Sequence, residues 1–219
     1  MTRMETPWSD RRPPPAALLA VTLGAAVVTA ACVLFVDEPV AHAIATYAPS
    51  SFWDAGITIL EWIILLPVHK LALPVLLVVA MLATVIVKPW RGAAPALMTI
   101  AAVHLISRLT TNWIKDGTGR LRPHEALQRG VDGTFGWESG VAFPSGHVVL
   151  FASLVIPIIF VVPWARKLAV PLGASVVIVV FVAAARIAVG AHWLSDAAGS
   201  ITLVAAWTYL VSLGVRPSR

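Results

Sequence analysis

Phe143-Pro144-Ser145-Gly146-His147 stands between a polar, glycine-rich segment and an apolar run, Val148 to Ala165. A proline, two small residues and then an unbroken apolar stretch read as a helix start, with Pro144 expected at the first helical position. The run that follows approaches the roughly 20 apolar residues needed to cross a bilayer. Working outward, comparable runs occupy Ala16 to Val36, Leu71 to Val87, Ala93 to Ile114, Leu168 to Ala185 and Ala197 to Val215. Together they predict an all-α integral membrane bundle of six transmembrane helices. The shorter run Gly56 to Leu66 contains Glu61 and Trp62 and reads as an interfacial helix.

Composition agrees. Of 219 residues, 58% are hydrophobic and 12% charged, against about 25% charged in a soluble domain. Mean hydropathy is +0.85. Residues 1–15, polar and proline-rich, read as a disordered cytoplasmic tail, residues 16–215 as one membrane domain, and residues 216–219 as a second short tail. The first run exceeds the 7–15 residues or so of a signal-peptide core, so it is expected to stay as a transmembrane helix. Asp37-Glu38-Pro39 reads as its end, and residues 40–55 as a loop. Cys32 is the single cysteine, so no internal disulfide can form. The segment 116–143 is the longest polar stretch and reads as a glycine-rich loop, where Phe135 and Trp137 would shape access to a site or anchor the interface.

The net charge of +5 could suggest nucleic acid, but its placement explains it otherwise. With six spans, one membrane face collects Arg3, Arg11, Arg12, Lys88, Arg91, Arg166, Lys167, Arg216 and Arg219. The positive-inside rule then puts both termini in the cytoplasm, and no nucleic-acid partner is expected. Topology leaves other cations unexplained, among them Arg108, Lys115, Arg120, Arg122 and Arg186. Arg108 lies within a span beside His104 and Asn112 at i, i−4 and i+4. A charge there is costly and should face the bundle interior or a wet cavity. His104 is expected to make an interhelical hydrogen bond.

Three stretches meet on the opposite face. The first runs from Lys115 to Arg122-Pro123, with six residues between the lysine and the arginine. The second is Pro144-Ser145-Gly146-His147, and the third extends from Arg186 through His192 to Asp196. This set suits phosphoryl transfer, in which charge spreads over three equatorial oxygens and needs fixed donors around it. Lys115, Arg122 and Arg186 can supply those donors, with Ser145 and the N–H groups near Gly146. Two histidines allow separate nucleophile and acid roles. His192 and Asp196, at i and i+4, share a face of any helix, where the carboxylate can fix the imidazole tautomer. Taken singly, each stretch has a plainer reading: the cations as lipid-headgroup ligands, the histidine and aspartate as a surface pair.

The three stretches in this order resemble the signature of the type 2 phosphatidic acid phosphatase superfamily, K-x6-R-P, P-S-G-H and S-R-x5-H-x3-D. The similarity of architecture spans about residues 50–215. The resemblance implies a membrane lipid phosphatase that uses no metal and no cofactor. By it, His192 would attack phosphorus and become a phosphohistidine, Asp196 would orient it, and His147 would protonate the leaving oxygen. Lys115, Arg122, Ser145, Gly146 and Arg186 would bind the phosphate. One position departs: Ala185 stands where the family has serine. The expected partners are a lipid phosphate or diphosphate, most of all undecaprenyl pyrophosphate, and the surrounding membrane lipids. The expected location is a bacterial inner membrane, with the site facing outward. A lipid phosphotransferase, or a non-catalytic lipid transporter or scaffold, would use the same stretches.

Overall fold

The computed structural model describes residues 15–46, 51–67, 72–87, 94–131, 139–161 and 169–214. The expected tails, the basic groups at 88–91 and 166–167, and Phe135 and Trp137 lie outside them. Among the described residues the chain is helical, without strands. The helices are α1 (Pro15–Ala31), α2 (Asp37–Ala45), α3 (Ser51–Ile63), α4 (Ala72–Ile86), α5 (Ala94–Thr118), α6 (Pro123–Arg129), α7 (Gly146–Val161), α8 (Ala169–Ala188) and α9 (Leu194–Gly214).

The bundle centres on α7 and α9, which pack on each other and on α5. Helix α1 lies along α9, α8 packs on α7, α4 on α5, and α3 on α8. Small and β-branched residues let these helices approach closely, as in membrane bundles generally. Val103, Val148, Val149, Ala152, Val182, Ala185 and Val204 form the buried centre. Large apolar side chains face outward instead, including Val27, Phe35, Leu109, Trp113 and Val177. A hydrocarbon solvent makes that arrangement favourable, whereas water would penalise so wide an apolar surface. Two helical stretches, Ala16–Ala45 and Leu194–Gly214, are long and apolar enough to cross a membrane by length and composition. Ala72–Thr84, Gly146–Phe160 and Leu172–Ala188 are apolar but shorter.

Four expectations need correction. Asp37-Glu38-Pro39 does not end the first helix. A π-helical turn, Cys32–Val36, joins α1 to α2, and the Asp37 N–H bonds to the Cys32 carbonyl. Pro39 has no N–H for an α-helical bond to residue 35, and the wider turn absorbs that loss. Residues 40–45 and 51–55 are therefore helical, in α2 and the start of α3, and residues 47–50 lie outside the described residues. The short helix begins at Ser51 rather than Gly56 and ends at Ile63. The polar segment 116–143 is not one loop, because α5 runs to Thr118 and α6 occupies Pro123–Arg129. Helix α6 carries its own punctuation: Pro123 in its first turn, Glu125 Oε2 accepting the Arg122 N–H at 2.8 Å, and Gly130 as a left-handed C-cap. Finally, α7 starts at Gly146. The Ser145 carbonyl accepts the Val149 N–H at 3.0 Å, so Ser145 is the N-cap and Pro144 precedes the helix, behind a cis peptide bond.

Candidate active site

The three stretches do converge. The site is built at the start of α7, where the chain runs in beside the α5–α6 connection. Gly140 N–H donates to the Gly119 carbonyl at 3.1 Å, and Ala142 N–H to the Arg120 carbonyl at 2.9 Å. A Cβ at residue 140 would lie 2.1 Å from the Arg120 carbonyl oxygen, so only glycine fits there. Lys115 Nζ donates to the Val141 carbonyl. The Ser145 N–H donates to the Asp196 carbonyl at 3.2 Å, and Ser200 Oγ to the Ser145 carbonyl at 3.1 Å. These bonds fasten the Pro144-Ser145-Gly146-His147 turn to the first turns of α9.

The third stretch is held by the end of α8. Gly190 adopts a positive φ of 65°, which reverses the chain at low steric cost. The Arg186 carbonyl then accepts both the Ala191 N–H at 3.0 Å and the His192 N–H at 3.1 Å. His192 is 4% exposed, and its Nδ1 lies 3.2 Å from Asp196 Oδ2. The same carboxylate oxygen accepts the Trp193 N–H at 2.9 Å. With Nδ1 facing Asp196, Nε2 is the nitrogen left for chemistry. Burial pulls the His192 pKa below the ordinary imidazole value, while the bond and charge of Asp196 pull it up.

Behind Asp196 lies a network that the three stretches do not announce. Arg120 is 1% exposed; its Nη1 donates to Asp196 Oδ1 at 2.7 Å and to Ser195 Oγ at 2.6 Å. Its Nη2 donates to Asp37 Oδ2 at 2.7 Å. Asp37 Oδ1 accepts the Ser195 N–H at 2.9 Å, and Ser195 Oγ donates to Asp37 Oδ2. The guanidinium stands 5.0 Å from the Trp193 ring centroid, and Trp193 Nε1 donates to the Leu121 carbonyl at 2.8 Å. Two carboxylates thus share one arginine, leaving one net negative charge beside His192.

His147, partly exposed, has Nε2 2.6 Å from Glu61 Oε1 on α3. Together with Arg108, Thr111, Asn112, Lys115 and Gly146 the pair lines a cavity of about 480 Å³. A second cavity, about 300 Å³, lies between α2, α6 and the α8–α9 turn, with Asp37, His124 and His192 on its wall. The two histidines therefore border different cavities. Lys115, Arg122 and Arg186 are close enough for each to feel the others' charge. Five buried side-chain polar atoms lack a partner among the described residues, and three of them belong to the expected phosphate-binding set: Arg122 Nε, Ser145 Oγ and Arg186 Nε. Buried donors are normally satisfied, so three such groups within the expected phosphate-binding set fit an anion site. No group of three or more His, Cys, Asp or Glu side chains among the described residues is arranged to hold a metal ion.

Residues 96–219 match the PAP2 superfamily. The chain belongs to that superfamily. Its fold resembles the first transmembrane PAP2-type phosphatidylglycerolphosphate phosphatase from Bacillus subtilis, with a TM-score of 0.58 and 23% sequence identity over 94% of this chain and 98% of that one. No curated protein matches the sequence. In this PAP2 protein Ala185 is fully buried in the core, so the hydroxyl common in the family would have no water to meet there. Sequence reasoning did not reach Asp37 or Glu61, which lie outside the matched region, and it found no role for Arg120. The available signals were an acid directly after an apolar run, an acid inside another, and an arginine within the lysine-to-arginine spacing. His104, as expected, bonds across helices, from Nδ1 to Ser153 Oγ at 2.8 Å.

Proposed function

We propose that this PAP2 protein is a lipid phosphatase that removes the terminal phosphate of a lipid phosphate or diphosphate through a phosphohistidine. The observation that carries the reading is the trio of partnerless buried donors, Arg122 Nε, Ser145 Oγ and Arg186 Nε, within the set of residues expected to bind phosphate. In the first step His192 Nε2 forms a bond to phosphorus as the bond to the leaving oxygen breaks. Lys115, Arg122, Arg186, Ser145 and the Gly146 N–H hold the three equatorial oxygens. Asp196 keeps the proton on Nδ1 and stabilises the imidazolium that forms. His147 donates its proton to the leaving oxygen. In the second step His147 takes a proton from water, whose oxygen bonds to phosphorus as the N–P bond breaks, releasing inorganic phosphate and restoring His192.

Six membrane spans, cytoplasmic termini and an outward-facing site in a bacterial inner membrane complete the reading, supported by the distribution of basic residues and the apolar exterior. An outward-facing site favours undecaprenyl pyrophosphate as the substrate. The Bacillus subtilis neighbour makes phosphatidylglycerophosphate the natural second candidate. The chemistry asks for neither metal nor cofactor. The test is phosphate release by the purified protein in detergent, with a chelator present, from undecaprenyl pyrophosphate, phosphatidylglycerophosphate, phosphatidic acid and diacylglycerol pyrophosphate. Release that disappears in His192→Ala is the expected result. No release from any lipid by folded protein would overturn the reading.

A further inference from the structure

Arg108 is the charged group the proposed mechanism leaves unused. It lies on α5, seven residues before Lys115, with Thr111 and Asn112 between them on the same helical face. All four line the cavity of about 480 Å³ that also holds Gly146 and His147. Arg108 Nη1 donates to the Gly146 carbonyl at 3.1 Å, which brings the guanidinium to the turn that carries His147. A guanidinium has five N–H donors, so that single bond leaves most of the fork available. The ion pairs among the described residues give neither Arg108 nor Lys115 a carboxylate partner. A cation inside an apolar helix is expensive to keep and calls for a function.

Depth decides what that function is. Seven residues of α-helix advance about 10 Å. On the proposed topology, Arg108 therefore stands on the membrane side of Lys115. The leaving group of a lipid phosphatase is the lipid, so it departs on that side. We infer that Arg108 recognises a phosphate on the leaving group, and that this site selects lipids whose scissile phosphate is attached to a second one or lies next to one. The inference rests on the phosphatase reading above. When a lipid diphosphate reacts, the His192–P bond forms, the electrons of the broken P–O bond go to the bridging oxygen, and that oxygen takes its proton from His147, so the leaving lipid monophosphate keeps the negative charge of its own phosphate. Arg108 meets that charge. When phosphatidic acid reacts, the electrons go to an alkoxide oxygen that takes its proton from His147, and the leaving group holds no charge for Arg108 to bind.

Diacylglycerol pyrophosphate and phosphatidic acid carry the same lipid and differ only by the second phosphate. The experiment measures kcat/KM for both, in mixed micelles, with wild type, Arg108→Gln and Arg108→Lys. The ratio of diphosphate to monophosphate kcat/KM should fall about 10- to 100-fold in Arg108→Gln, the worth of a charge-assisted hydrogen bond. Arg108→Lys, which keeps the charge and loses the fork, should fall between. If Arg108 only braces the Gly146 carbonyl, both substrates suffer by the same factor, and a ratio unchanged within about threefold would overturn the inference while leaving the phosphatase reading intact. Hydrolysis of phosphatidic acid alone by the wild type would overturn it too. Wild-type inactivity on every lipid would overturn the phosphatase reading and this inference with it.

Discussion

Replacing Asp37 with alanine tests the buried network. The side chain accepts from Ser195 N, Ser195 Oγ and Arg120 Nη2, and both it and the arginine are about 1% exposed. Neutral hydrogen bonds contribute roughly 1 kcal/mol each. The larger effect is three buried donors, one of them charged, left without their acceptor, which together cost about 3–5 kcal/mol. The second figure decides the outcome. For a chain of this size it corresponds to a Tm lowered by roughly 6–20 °C. The assay is thermal unfolding of the detergent-purified protein, run as a double-mutant cycle with Arg120→Met. If the pair is coupled, the double variant should lose less than the sum of the two single losses, by more than about 0.5 kcal/mol. An Asp37→Ala protein that melts within a degree or two of wild type, or strictly additive losses, would refute the reasoning.

Two further outcomes follow from the geometry. Because burial lowers the His192 pKa, the neutral, nucleophilic imidazole persists to lower pH than an exposed one, so the acid limb of kcat/KM should lie below pH ~6.5. Asp196→Asn removes the influence that raises this pKa and should move the limb lower still while cutting kcat; a wild-type limb above pH ~7 would count against the assignment. The orientation is checked by placing a cysteine at exposed Gln128 on α6, with buried Cys32 replaced by alanine. A membrane-impermeant maleimide should label it in intact cells, and labelling only after permeabilisation would reverse the topology.

The elements proposed to touch phosphate stood out in the sequence because each sits in a short stretch with its own punctuation. Ser145, Gly146 and His147 open a helix, and His192 and Asp196 are one helical turn apart. The helical class was legible because apolar runs of this length admit little else. Asp37 was misread because Asp-Glu-Pro after an apolar run is an ordinary helix stop, and a π-turn that carries the chain onward has no comparable signal. Glu61 could not be assigned, because its partner His147 is 86 positions away in the chain and only packing joins them. Helix α6 is a different case. Pro123, Glu125 and Gly130 spell out both of its ends, but six glycines over residues 116–143 draw the eye to a loop.

The division between the two histidines extends to the carboxylates that hold them. Asp196 is fully buried and bound on both oxygens, by Arg120 on one side and by His192 and the Trp193 N–H on the other. It is closed to solvent, and three bonds hold it in place. That suits a nucleophile, which must present the same nitrogen to phosphorus in every cycle. Glu61 is 26% exposed on the wall of the larger cavity. A carboxylate beside His147 stabilises the imidazolium without enclosing it. That suits the residue that first gives a proton to the leaving oxygen and then takes one from water. Asp37 fits the same logic. With Asp196 alone, Arg120 would cancel the charge that must face the imidazolium, and the second carboxylate restores it. The PAP2-matched half thus supplies the groups that would contact phosphate, and the helices before it supply the counter-charges that let the two histidines behave differently.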